Sequence, residues 1–142
     1  MAQITNITRM KHLVGIMIAI LFSLSAYAQK DTVPLHKPKV VIGIASFYSK
    51  NLDGTKTSTG ETFRNSKMTG ASNNFKLHTW VRVTNLRNNK SVIVRINDRM
   101  HDRMAHHGRA IDLSREAARK LNFISRGLTR VKIEEVPKDT SE

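Results

Sequence analysis

Apolar residues come in short runs that alternate with polar ones, so the chain reads as strands joined by irregular polar loops. The clearest run is Ser91–Asp98. Val92, Val94 and Ile96 share one face of an extended chain, and Ser91, Arg95 and Asn97 share the other with Ile93. Residues 40–48 are β-branched and aromatic-rich and predict an earlier strand, in which Gly43 points to a close backbone approach or a bulge. In Trp80–Asn85, Val81 and Val83 alternate with Arg82 and Thr84. The connection that follows contains Asn88-Asn89, both tolerant of positive φ, and predicts a hairpin into Ser91. Residues 110–113 predict a short strand. Ser114 then N-caps a helix over 115–121, with Ala117, Ala118 and Leu121 as its apolar stripe and Asn122 closing it. Residues 127–136 predict the last strand, with Val131 and Ile133 inward, and Pro137 ends it. Residues 49–60 read as a long loop, 68–77 as irregular and 100–109 as a polar insertion. Five or six short strands with one short helix predict a mainly β protein built as a small barrel.

The N-terminal stretch follows a different pattern. Arg9 and Lys11 precede a nearly unbroken apolar run over 13–24, and Ser25-Ala26-Tyr27-Ala28 places small residues where a signal peptidase reads. This layout predicts a cleaved signal peptide, residues 1–28. The apolar run is shorter than the roughly 20 residues that span a bilayer, so no stable membrane span is expected after cleavage. Residues 29–39, polar and with Pro34 and Pro38, read as a flexible leader, 40–137 as the barrel domain and 138–142 as a disordered tail.

Charge narrows the partners. The chain carries 24 Lys and Arg against 11 Asp and Glu, a formal +13. Cleavage removes Arg9 and Lys11 and no acid, leaving a formal +11. An exported domain this basic is drawn to polyanions such as cell-wall polymers. The export signal and the few aromatics argue against nucleic acid. There is no cysteine, hence no disulfide and no thiol for lipid attachment.

Two carboxylates stand out as candidate chemistry, Asp98 and Glu61, each at a loop–strand boundary. Cleaving a glycosidic bond needs a proton for the leaving oxygen and a base for the nucleophile, and a carboxyl pair can serve both needs. Asp98 could equally cap a turn or pair with Arg95 or Arg99. His101, Asp102, His106 and His107 are metal-ligand types, but no known ligand spacing frames them, so no metal and no cofactor are expected. Ser72 lacks the Gly-x-Ser-x-Gly setting of a nucleophilic serine.

Five segments together resemble the rare lipoprotein A family, the septal-ring lytic transglycosylases. They are Gly43-Ile44-Ala45-Ser46-Phe47-Tyr48, Thr59-Gly60-Glu61-Thr62-Phe63, Val81-Arg82-Val83-Thr84-Asn85-Leu86, Ser91 through Arg99, and Arg109-Ala110-Ile111-Asp112-Leu113-Ser114. The resemblance implies a six-stranded double-psi β-barrel. It also implies a periplasmic enzyme that cuts peptidoglycan glycan strands between N-acetylmuramic acid and N-acetylglucosamine, leaving 1,6-anhydro ends; separately, a monomer is expected. On this resemblance Asp98 and Glu61 are catalytic, and Ser72, Asn73, Tyr48, Asn97 and Arg99 bind substrate. One departure is plain: the family's Thr-Ala-Ala-His motif falls on Thr69-Gly70-Ala71-Ser72, and serine carries no proton near neutral pH. The same resemblance reaches expansins, which implies the alternative of a non-catalytic peptidoglycan-binding barrel.

Overall fold

The computed structural model describes residues 37–140. The expected signal peptide, most of the leader and the last two residues of the tail lie outside the described residues.

Six strands close into one barrel: β1 (Val40–Phe47), β2 (Thr69–Ala71), β3 (Trp80–Asn85), β4 (Ser91–Asp98), β5 (Arg109–Leu113) and β6 (Thr129–Val136). Around the barrel the order is β1-β5-β2-β4-β3-β6. Two pairs are parallel, β1 with β5 and β2 with β4, and the others are antiparallel. This is the double-psi β-barrel that the sequence predicts. Closure leaves no free sheet edge.

Burial explains the strand pattern. Val81, Val83, Val92, Val94, Ile96, Ile111, Leu113, Val131 and Ile133 all belong to one buried core. The second face of β4 is covered as well, because Ile93 and Asn97 are also buried. Helix α2 (Arg115–Lys120) adds Ala117 and Ala118 to the same core, followed by Leu121 and Phe123. The Ser114 hydroxyl accepts from the Ala117 amide at its N-terminus, and Asn122 takes φ 58° just past its end.

The hairpin between β3 and β4 forms as expected, with Asn89 at φ 58°. It is locked from inside by Asn85. That side chain is buried, donates to the Leu121 carbonyl at 2.9 Å and accepts from the Thr129 hydroxyl at 2.9 Å. The amide is thus satisfied on both sides, which a buried polar group requires.

Two features depart from the sequence expectation. Segment 68–77 is not wholly irregular, because Thr69–Ala71 forms β2, wedged between β4 and β5. Three residues are too few to display an alternation. The strand fits because Gly70 has no side chain: a Cβ there would lie 3.2 Å from the Asp112 carbonyl oxygen. The polar insertion also carries a second helix, α1 (Asp102–His106). None of its residues is buried, so no apolar stripe announces it. His101 caps it by accepting from the Arg103 amide, and Asp102 sits favourably in its first turn. Among the described residues no helix is long and apolar enough to cross a membrane.

Gly43 answers to the close approach expected of it. A Cβ there would sit 2.6 Å from the Ala110 Cβ, and the β1–β5 register shifts just beyond, between Ile44 and Ala45. Gly43→Ala should therefore force β1 and β5 apart and destabilise the barrel by about 1–3 kcal/mol. Urea unfolding checks this, and an unchanged midpoint would show that the two strands part freely here.

Candidate active site

The loop before β2 is fixed to the end of β4 at two points, and these create the site. A tight turn comes first: the Gly60 amide donates to the Thr57 carbonyl and the Thr57 amide to the Glu61 carbonyl, both at 2.9 Å. Gly60 takes φ 81°, a conformation glycine allows without strain. The turn presents Ser58 and Glu61 to β4.

Glu61 meets Arg95 in a two-pronged ion pair, Nη1 to Oε1 at 2.8 Å and Nη2 to Oε2 at 2.6 Å. The Asn97 amide donates to Oε2 at 3.4 Å. Arg95 and Asn97 are two residues apart on β4 and so share a face. The Arg95 hydrogen bonds dominate over partial burial and, helped by Asn97 and Thr59, lower the Glu61 carboxyl from its ordinary 4.5 to about 2. His78 backs the same arginine, with Nδ1 3.3 Å from Arg95 Nη1.

Asp98 is held differently. Its Oδ1 accepts from the Ser58 amide at 2.8 Å, the Ser58 hydroxyl at 2.6 Å and the Arg99 amide at 2.8 Å. Its Oδ2 accepts from the Tyr48 hydroxyl at 2.8 Å. All four donors are neutral groups. Burial pushes the Asp98 carboxyl up, but the bonds from Ser58, Tyr48 and the Arg99 amide outweigh it, and the net shift is downward. Tyr48 is pushed the other way, above its ordinary value, by burial and by Asp98. Its ring packs on Phe63 with centroids 4.3 Å apart. Both carboxylates are therefore anionic at neutral pH.

Beside this junction lies an open hollow of about 350 Å³. Glu61, Arg95, Asn97, Lys67, Met68 and Trp80 are among the residues that line it. It offers an indole, three cations (Arg64, Lys67 and Arg95) and a carboxylate to a ligand, a combination suited to a polar molecule with flat apolar faces, such as a sugar.

The predicted site residues divide into two groups. Glu61 and Asn97 line the hollow, and Tyr48 and Asp98 join them through the Ser58 turn. Ser72 needs correction. It is fully buried, with its hydroxyl donating to the Ala110 carbonyl at 2.7 Å and accepting from the Asn74 amide, so it faces the barrel wall rather than a ligand. Asn73 and Arg99 are also tied to backbone. Asn73 exchanges two 3.0 Å bonds with the main chain of Met100, and the Arg99 guanidinium donates to the carbonyls of Ser72 and Phe75. These three side chains sew segment 72–75 to the chain leaving β4. Sequence reasoning missed Ser58, Arg95 as the partner of Glu61, and Trp80. Only Trp80 carried a usable signal, being the sole tryptophan of the chain. Among the described residues no three His, Asp or Glu side chains gather as a metal site, and His101 is engaged as a helix cap.

The barrel thus carries an aspartate and a glutamate at one loop–strand junction, beside an open hollow. Residues 40–133 match the lytic transglycolase family, and the chain belongs to it. It is 45% identical over 97 residues to the endolytic peptidoglycan transglycosylase RlpA of Pasteurella multocida, covering 68% of this chain and 32% of that one. To the protein of the same name from Pseudomonas aeruginosa strain UCBPP-PA14 it is 46% identical over 94 residues, covering 66% and 27%. The chain thus spans between a quarter and a third of the length of these curated relatives. Among solved structures it is similar to an expansin from Clavibacter michiganensis, with TM-score 0.54, 21% identity and coverage of 72% and 53%. It is also similar to the Streptomyces papain inhibitor, with TM-score 0.55, 21% identity and coverage of 70% and 96%. These structural likenesses establish the barrel alone.

The Glu61–Arg95 pair makes a pH prediction. A depressed folded-state value means that the pair's contribution to stability is present above the ordinary glutamate range and is lost as pH falls toward about 2. An NMR titration of the Glu61 carboxyl carbon should give a midpoint near 2 in the native chain and one back in the ordinary carboxylate range in Arg95→Gln. Identical midpoints in the two proteins would contradict the pairing.

Proposed function

We propose that the barrel is an endolytic peptidoglycan transglycosylase domain, exported to the bacterial periplasm, that cleaves between N-acetylmuramic acid and N-acetylglucosamine. The observation that carries this reading is the retention of Asp98 and Glu61 on one loop–strand junction, beside a hollow, in a chain of the lytic transglycolase family. The names of the relatives supply the substrate. The excess of basic residues favours adhesion to an anionic wall.

In the proposed reaction Asp98 carries one proton through the cycle. Its protonated form gives the proton to the glycosidic oxygen as the bond from that oxygen to the muramyl C1 breaks. Positive charge develops on the sugar ring, and the Glu61 carboxylate, kept ionised by Arg95, offsets it. The C6 oxygen of the same muramyl residue then bonds to C1, and its proton passes to Asp98. The product is a 1,6-anhydro ring, with no water consumed. Trp80 offers a stacking face for a sugar in the hollow.

The alternative, a non-catalytic wall-binding barrel, is favoured by one observation: neither carboxylate is held protonated near neutral pH. Digestion of purified sacculi with mass analysis of the fragments separates the two readings. The transglycosylase yields 1,6-anhydro ends, whereas a binder sediments with sacculi and yields none.

Three outcomes are expected in that assay. Asp98→Asn should lower kcat by about 100-fold or more, the usual weight of a general acid–base group. Trp80→Ala should raise KM by roughly 3- to 10-fold, the equivalent of one aromatic contact, with kcat nearly unchanged. Because the downward shift at Asp98 makes the acid form a minority, kcat/KM should rise as pH falls from 7 to 5. A rate that climbs with pH above 7 would remove Asp98 from the role of proton donor.

A further inference from the structure

A second hollow, of about 390 Å³, shares no lining residue with the first. Arg87, Arg109, Arg126, Arg130, His107 and Leu128 are among its lining residues, and none of the lining residues is acidic. Arg87 belongs to the turn that leads into Ser91, whereas Asp98 closes the same strand. At about 3.3 Å per residue the two ends of β4 stand roughly 23 Å apart. Its Arg87 edge is therefore well removed from Asp98, and none of its lining residues belongs to the carboxylate site.

The four arginines are not equivalent. Arg109 is anchored, with Nε and Nη2 donating to Asp112 Oδ1 at 3.1 and 2.6 Å. The guanidinium groups of Arg87, Arg126 and Arg130 take no part in the ion pairs or hydrogen bonds found among the described residues, although the Arg87 amide donates to Asn85 Oδ1 at 3.1 Å. Their backbones are nonetheless set. The Leu86 amide donates to the Arg130 carbonyl at 3.0 Å, which fixes Arg87 beside Arg130, and the Gly127 turn at φ 77° holds Arg126 over the same opening. Three uncompensated guanidinium groups facing one hollow repel one another, and an anion there relieves that repulsion. The planar fork of each guanidinium matches a tetrahedral oxyanion through paired N–H donors, which an ammonium group cannot do. The exposed Leu128 at the rim can accept the apolar part of an ester.

We propose that this hollow is a binding site for a phosphate group, free or carried on an ester, and that it is independent of the glycan-cleaving site. Arg87, Arg126 and Arg130 supply the donors, with Arg109 held in place by Asp112.

The test is an NMR titration of the arginine Nε–H signals of the full chain with inorganic phosphate, paired with sedimentation on phosphatidylglycerol vesicles and on phosphatidylcholine vesicles as control. The signals of Arg87, Arg126 and Arg130 should shift together and saturate. The double variant Arg87→Gln/Arg130→Gln should weaken binding at least tenfold, and Arg126→Gln alone, a milder change, at least threefold. Lys76→Gln, which removes one positive charge as Arg126→Gln does but lines neither hollow, should stay within twofold of the native chain. Saturation by free phosphate means that the phosphate group suffices. Binding to phosphatidylglycerol alone, with the same variant pattern, assigns the site to a lipid headgroup. Binding to neither probe, or equal loss in Lys76→Gln and the pocket variants, overturns the proposal.

Discussion

The site depends on the attachment of one loop to one strand. Without the Glu61–Arg95 pair and the Ser58–Asp98 bonds, residues 57–61 would be a polar connection with no reason to prefer the barrel rim. With both in place, five residues of loop are fixed at two points onto a strand whose other contacts are buried. The rigidity of β4, set by core packing on Val92, Val94 and Ile96, passes to the turn through hydrogen bonds of 2.6–2.8 Å. A buried strand thereby lends its order to a solvent-facing site, as precise placement of reactive groups requires.

The two attachments also set the charge state. A carboxylate that accepts an arginine fork or several N–H and O–H bonds is stabilised as the anion. Glu61 obtains this from a cation, and Asp98 from neutral donors only. The difference matters for chemistry. Removing a proton from Asp98 costs little, and returning one does not require breaking an ion pair. Glu61 is committed to its charge as long as Arg95 stays. In the proposed reaction the ion pair thus fixes Glu61 as an electrostatic partner and leaves Asp98 able to cycle.

Much of the fold was legible because the barrel interior enforces alternation. Val81, Val83, Val131 and Ile133 could be placed inward from sequence, and Gly43 marked a close approach of β1 to β5. The invisible parts had physical reasons. β2 is three residues long and made possible by the absence of a side chain at Gly70. α1 buries nothing and so has no apolar stripe. At the site, motif context singled out Asp98 and Glu61, but their partners are remote in sequence: Ser58 lies 40 positions from Asp98, and Arg95 lies 34 from Glu61. Ser72 misled because sequence says that a residue is polar, not which way it turns. Its hydroxyl completes a barrel hydrogen bond, whereas the polar character of Asn97 serves the hollow.

The proposed reaction requires that Asp98 and Glu61 serve one glycan strand in one groove. A crystal structure of Asp98→Asn with a peptide-free tetrasaccharide of the glycan strand tests it most directly. The expected result is a muramyl residue spanning the junction, with a glycosidic oxygen about 3 Å from the residue-98 amide and a neighbouring sugar on Trp80 in the hollow beside Glu61. A saccharide bound elsewhere on the barrel, with no sugar atom within hydrogen-bond reach of residue 98, would contradict it.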